Sequence, residues 1–99
     1  MWILQSSEED EWIFRLPPGA VKTLGRATRA DFILDAALVS RLHCRLTAGD
    51  EKLEVEDLSS TNGTYVNDKR VRRAHLATGD RLRVGRVELT IDRRTEDQK

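Results

Sequence analysis

Three short polar runs carry the groups in this 99-residue sequence that could do chemistry together: Gly25-Arg26, Ser40-Arg41-Leu42-His43 and Ser59-Ser60-Thr61-Asn62-Gly63-Thr64. Between them they hold two guanidiniums, several hydroxyls and a carboxamide. Guanidinium N–H pairs and hydroxyls suit phosphate oxygens, and a carboxamide, which donates at one end and accepts at the other, suits a peptide main chain. The inventory fits a phosphorylated side chain plus the backbone that bears it. Each residue alone also has a plainer reading: Arg26 as a solvated turn residue, Ser40 as a turn hydroxyl, Thr61-Asn62-Gly63 as a type I′ or II turn, and His43 as a hydrogen-bonded, partly buried histidine.

Other chemistries find little support. His43 and Cys44 are adjacent, and consecutive strand residues face opposite sides of a sheet, so they do not make a Cys–His dyad. Cys44 and the two histidines, His43 and His75, lack zinc-ligand spacing. Neither GxxxxGK[ST] nor GxGxxG occurs. Asn62-Gly63-Thr64 matches a glycosylation sequon without a secretory signal, so that match is incidental. The expectation is a non-enzyme that needs no metal or cofactor.

Seventeen basic and seventeen acidic residues cancel, which argues against binding nucleic acid or membrane through the bulk field. No apolar run approaches the roughly 18–20 residues of a membrane span. A single cysteine excludes an intrachain disulfide framework and fits a reducing compartment. A small, soluble, monomeric, cytoplasmic domain is expected. The charge is nevertheless uneven. Glu8-Glu9-Asp10-Glu11 is an acidic run, whereas Lys69, Arg70, Arg72, Arg73, Arg81, Arg83 and Arg86 crowd one stretch with Asp80. A solvated strand face explains that stretch most simply; a phosphate-reading surface is the sharper alternative.

The elements that must position the polar runs are strands. Lys52-Leu53-Glu54-Val55-Glu56 and Arg81-Leu82-Arg83-Val84 alternate charged and apolar residues, so one face is buried and the other wet. Val87, Leu89 and Ile91 resume after Gly85-Arg86, which reads as a two-residue hairpin turn. Glu11 to Leu16 and Val21 to Leu24 are strands parted by Pro17-Pro18-Gly19. Thr64-Tyr65-Val66 and Lys69-Arg70-Val71 form a second hairpin around Asn67-Asp68. Phe32-Ile33-Leu34 suits a short buried strand, and Cys44-Arg45-Leu46 alternates as another. Leu34, Ala37, Leu38 and Leu42 recur at helical spacing, so Asp35 to Leu42 reads as helix or loop, with loop preferred. About ten short strands with frequent turns predict an antiparallel sandwich or barrel, whose end loops converge although distant in sequence. One domain spans 1–92, and 93–99 is a polar C-terminal tail.

Leu24-Gly25-Arg26, Ser40-Arg41-Leu42-His43, Asp57-Leu58-Ser59-Ser60-Thr61-Asn62-Gly63-Thr64-Tyr65-Val66-Asn67 and Leu76-x-x-Gly79-Asp80-x-Leu82-x-Val84-Gly85 together resemble the forkhead-associated (FHA) domain family over roughly residues 21 to 91. The resemblance implies an all-β, antiparallel β-sandwich of about eleven short strands with binding loops at one end. It also implies a non-catalytic module of kinase signalling that binds phosphothreonine peptides, with a Ser/Thr kinase upstream. It assigns Arg26, Ser40, Arg41, Thr61 and Asn62 to the phosphopeptide, and Gly25, His43, Gly63 and Asn67 to support of the site. Asp35 to Val39 becomes the loop reaching the phosphate. Leu38 and Val39 become a selectivity loop whose apolar wall favours an aliphatic side chain three places after the phosphothreonine. The alternatives are a phosphate-independent interaction or self-association domain and, less favoured, a nucleic-acid binder using Lys69 to Arg86.

Overall fold

In the computed structural model, residues 1–6 and 12–94 are described. The acidic run Glu8 to Glu11 and the tail from residue 95 lie outside them. Eleven strands form among the described residues: β1 Trp2–Ser6, β2 Ile13–Leu16, β3 Val21–Gly25, β4 Phe32–Ile33, β5 Cys44–Ala48, β6 Leu53–Asp57, β7 Thr64–Val66, β8 Lys69–Val71, β9 Arg73–Leu76, β10 Arg81–Val84 and β11 Val87–Arg93. They make two sheets, in the orders β2-β1-β11-β10-β7-β8 and β4-β3-β5-β6-β9.

Alternation decides which face each strand buries. In β5 Cys44, Leu46 and Ala48 point inward while Arg45 is exposed, and in β10 Leu82 and Val84 are buried between exposed Arg81 and partly exposed Arg83. Leu4, Leu16, Leu24, Leu46, Leu53, Leu76, Leu82, Leu89 and Ile91 fill the space between the sheets, each essentially inaccessible to solvent. Truncating one such leucine to alanine costs about 2–5 kcal/mol.

The antiparallel expectation holds with one exception. β4 runs parallel to β3, with Leu24 opposite Phe32 and Gly25 opposite Ile33. This edge strand is two residues long, and it is not fully buried as expected: Ile33 is exposed and only Leu34, just past it, enters the core. Asp35 to Leu42 is non-helical, so the loop reading is correct. The two hairpins also form as expected. Asn67 and Asp68 both have positive φ, at 50° and 72°, as a type I′ turn requires, and Gly85 has φ 59° at the first position of its turn. β11 continues through Arg93, and the amide of Arg94 donates to the carbonyl of Met1 at 2.8 Å. The last strand therefore runs one residue past 92.

Strand direction fixes which loops meet. The end of β3 lies against the start of β5, with Leu24 opposite Cys44, and Cys44 lies opposite Asp57 at the end of β6. The β3–β4, β4–β5 and β6–β7 loops therefore emerge at one end of the sandwich. Val84 lies opposite Thr64, so the Gly85-Arg86 turn opens at the same end.

Candidate functional site

At that end the loops enclose a cleft of about 530 Å³ lined by Arg26, the Asp35–Ser40 segment, Thr61 and Asn62. Gly25 makes the approach of the first two loops possible. A Cβ built there would lie 2.1 Å from the Arg41 carbonyl oxygen, 2.7 Å from the carbonyl carbon and 2.9 Å from the Leu42 Cα, all backbone atoms. With no side chain in the way, the Arg26 amide donates to the Ser40 carbonyl at 2.9 Å and the Ala27 amide to the Arg41 carbonyl at 3.1 Å. The Arg26 side chain then donates from Nε to the Val39 carbonyl at 3.0 Å. This bond fixes the guanidinium by its inner nitrogen and leaves its two terminal nitrogens for another partner.

Ser40 is held equally closely. Its amide donates to His43 Nδ1 at 3.0 Å, and its Oγ accepts from the Thr61 amide at 3.0 Å. A hydroxyl that accepts at its oxygen keeps its own hydrogen to donate. Asn62 reaches across to the same segment, its Nδ2 donating to the Leu38 carbonyl at 3.1 Å. Leu38 has φ 71°, a left-handed conformation that costs a non-glycine residue about 1–2 kcal/mol. The turn at Gly85 packs beneath this segment: a Cβ there would come within 2.9 Å of the Ala37 carbonyl oxygen.

His43 is inaccessible to solvent and joins all three loops. Because Nδ1 accepts from the Ser40 amide, Nε2 carries the proton and donates to the Gly63 carbonyl at 2.8 Å. Its own amide donates to the Leu24 carbonyl at 2.8 Å, and its carbonyl accepts from the Leu58 amide at 3.0 Å. Both ring nitrogens are thus committed inside the fold. The neighbouring Cys44 thiol is also buried. Burial first, and the Asp57 carboxylate second, push its pKa well above the ordinary thiol range, so it stays neutral and unreactive.

Two organising carboxylates escape a reading of the sequence for ligand-binding groups. Asp57 accepts from the Ser60 hydroxyl at 2.5 Å, the Thr64 hydroxyl at 2.7 Å and the Ser60 amide at 3.1 Å, while Ser60 Oγ accepts from the Gly63 amide at 2.9 Å. Burial alone would raise the Asp57 pKa. The Ser60 and Thr64 hydroxyls and the Ser60 amide outweigh it, holding the carboxyl below its ordinary value. Asp31 clamps the β3–β4 loop, accepting from the Thr23 amide at 2.9 Å and hydroxyl at 3.2 Å while its own amide donates to Thr23 Oγ1 at 3.0 Å. The signal available for Asp57 was the Asp-x-x-Ser spacing, which suits a side chain folding onto backbone amides ahead of it.

Of the expected site residues, Arg26, Ser40, Thr61, Asn62 and Leu38 meet at the cleft, with Gly25, His43 and Gly63 behind them. The structure places the other three as follows. The Arg41 side chain is exposed but does not line the cleft; its carbonyl is turned toward Gly25 and Ala27. Val39 borders the cleft but is only 3% exposed and packs in the core, so the more accessible part of the apolar wall is Leu38 with Ala36 and Ala37. Asn67 lies at the far end of β7, where Nδ2 donates to Asp80 at 3.2 Å and Oδ1 accepts from the Arg81 amide at 2.9 Å. It braces the β7–β8 hairpin rather than the cleft. The basic stretch is also divided. Arg73 pairs with Glu54 and Glu56 on one sheet at 3.4 and 3.3 Å, whereas Arg81 pairs with Asp68 at 3.5 Å and Arg83 stacks 4.1 Å from the Tyr65 ring centre on the other.

The geometry has its counterpart among known proteins. Residues 22–85 match the family model of the FHA domain. The chain belongs to the FHA-domain family. This FHA domain is 40% identical over 87 residues to the ABC transporter ATP-binding/permease protein Rv1747 of Mycobacterium tuberculosis, a match covering 83% of this chain and 10% of that protein. It is 39% identical over 72 residues to the glycogen accumulation regulator GarA of the same species, covering 73% of this chain and 44% of GarA. The chain thus spans a small part of the first and under half of the second. In three dimensions it superimposes, with a TM-score of 0.86 and 32% identity, on an FHA domain solved for the analysis of phosphothreonine-dependent FHA domain interactions; the match covers 95% of this chain and 97% of that one. The sandwich and its end loops are therefore the FHA fold.

Proposed function

We propose that this FHA domain is a non-catalytic module that binds phosphothreonine-containing peptides of a partner protein. The carrying observation is the pairing at one cleft of a guanidinium anchored by Nε to Val39 with a Ser40 hydroxyl whose oxygen is already occupied by Thr61. Each group keeps N–H or O–H donors to offer, which is what a phosphate dianion takes. In this reading Arg26 and Ser40 take the phosphate, Thr61 flanks it, and Asn62 offers its Oδ1 to the peptide main chain. Leu38, 47% exposed, with Ala36 and Ala37, provides an apolar wall for a neighbouring side chain. A Ser/Thr kinase acts upstream, the domain works as a monomer in the cytoplasm, and no cofactor takes part.

Titration with an oriented phosphothreonine peptide library, against the same library unphosphorylated, tests this reading. Binding should require the phosphate. Arg26→Ala and Ser40→Ala should each weaken it about tenfold or more, since hydrogen bonds to a charged group are worth roughly 1.5–3 kcal/mol. Arg26→Lys should recover only part, because an ammonium lacks the fork. Equal affinity for wild type and Arg26→Ala would remove Arg26 from the site and favour the phosphate-independent interaction domain.

A further inference from the structure

We propose that Arg70 is a second anion-reading position beside the cleft, taking a carboxylate or a second phosphate carried by the same phosphorylated partner. This rests on the phosphopeptide reading above. The first observation is where the side chain lies. Gly63 has φ 91°, and a Cβ built on it would fall 2.7 Å from Arg70 Nε, 3.1 Å from Cζ and 3.3 Å from Cδ. The guanidinium therefore covers the open side of Gly63, next in sequence to Asn62 and Thr61, which line the cleft. The opposite side of that backbone is held by His43.

The second observation is charge. Arg45, Arg73, Arg81 and Arg94 each pair with a carboxylate. Arg70 is exposed and has no carboxylate partner among the described residues. It is not isolated from other positive charge, however. Across the sheet Arg70 lies opposite Tyr65 and Tyr65 opposite Arg83, whose guanidinium sits on the tyrosine ring. Two strand spacings separate the two arginine backbones, about 10 Å, which is close to the screening length at physiological ionic strength. Glu88 lies opposite Arg83 on the next strand and offsets part of that charge, so the uncompensated positive charge nearest the cleft is that of Arg70.

An anion arriving there replaces water around a guanidinium already packed against the backbone, so little side-chain freedom remains to be lost. The cleft beside it already fixes one phosphorylated residue, so a second acidic group on that chain arrives at high effective concentration. A carboxylate would make a half-exposed ion pair, and a phosphate a stronger, two-pronged one.

The experiment uses fluorescence anisotropy with a phosphothreonine peptide flanked by alanines. In derived peptides glutamate, or phosphoserine, replaces each alanine within three residues on either side. Wild type and Arg70→Gln are compared, with thermal melting confirming that both are folded. At one position or more, glutamate should strengthen wild-type binding about two- to fivefold and phosphoserine more. Arg70→Gln should abolish that gain while binding the alanine-flanked peptide as wild type does. A gain from phosphoserine alone would identify a second phosphate as the ligand, and gains from both would identify any acidic residue.

No gain at any position would overturn the inference and leave the phosphopeptide reading standing. So would equal weakening of all peptides by Arg70→Gln, which would make Arg70 a brace of the Gly63 loop. Displacement of the peptide by duplex DNA from wild type but not from Arg70→Gln would overturn it in favour of nucleic acid. Failure of wild type to bind even the alanine-flanked phosphopeptide would refute the underlying reading and this inference together.

Discussion

His43→Ala is expected to act through the fold before it acts on any ligand. The imidazole is inaccessible to solvent and closes two hydrogen bonds, from the Ser40 amide at 3.0 Å and to the Gly63 carbonyl at 2.8 Å. Removing it leaves a buried carbonyl and a partly buried amide without partners, at about 1–3 kcal/mol for each group that water cannot reach. The Ser40 amide is near enough to the surface to recover part of its share. Loss of the ring's packing adds to the deficit, and a total of about 2–4 kcal/mol follows. For a domain of this size that corresponds to a fall in Tm of roughly 10–30 °C. Differential scanning calorimetry measures it, and anisotropy at a temperature where the variant is still folded measures the accompanying loss of phosphopeptide affinity. An unchanged Tm with abolished binding would refute the reasoning, since it would mean that His43 meets the ligand rather than the loops. His43→Gln should recover part of the stability, because a carboxamide can both accept and donate.

Gly25→Ala should destabilise the domain by about 1–3 kcal/mol and weaken phosphopeptide binding, because its Cβ would meet backbone at 2.1 Å; wild-type melting and affinity would show that the two loops can part without cost. Asp57, with its folded pKa below the ordinary 3.8, contributes stability that is fully present above the unfolded pKa and is lost as pH falls from there through the folded pKa. Stability of the wild type should therefore drop as pH falls below about 4. Asp57→Asn should drop less steeply, and an identical acid slope in the two proteins would remove Asp57 from the account. Asp31 and Glu56, whose pKa values are also lowered, by Thr23 and by Arg45 respectively, leave a residual slope of the same sign.

Much of the fold was legible because alternation and turn chemistry agree in this sequence. Leu53 and Val55, or Leu82 and Val84, announce a strand with one buried face, and Asn67-Asp68 and Gly85-Arg86 announce the turns that reverse it. What escaped did so for physical reasons. In β1, Trp2, Ile3 and Leu4 are all buried, so the strand shows no alternation. β9 is an edge strand of four residues, Arg-Ala-His-Leu, with only Leu76 fully buried. The residues of the cleft were legible as chemical types, but their meeting depends on pairings such as Leu24 with Cys44 and Cys44 with Asp57, which no local pattern specifies. How far the Arg41 and Val39 side chains reach into the cleft was not legible, because sequence adjacency to Ser40 does not say which way a loop side chain turns. Asp57 was passed over because its partners are its own loop's hydroxyls and amides rather than a ligand.

The cleft is held in shape mainly by backbone groups, and that explains how three irregular loops can present a fixed set of donors. The Ser40 carbonyl holds Arg26, the Ser40 amide is held by His43, the Gly63 carbonyl takes the other side of His43, and the Thr61 amide returns to Ser40 Oγ. The β4–β5 loop is therefore tied to both of the others. A side chain anchored in this way loses little further freedom when a ligand arrives, so more of each hydrogen bond to a phosphate appears as affinity. The same closure explains why the chemistry rests on so few outward groups. Arg26 Nε, Ser40 Oγ as an acceptor and Asn62 Nδ2 each make a bond within the protein, and these cleft-lining residues keep, among other groups, two guanidinium nitrogens, one hydroxyl hydrogen and one carboxamide oxygen for a ligand. In the proposed function the donors among them serve a phosphate and the carboxamide oxygen a peptide N–H.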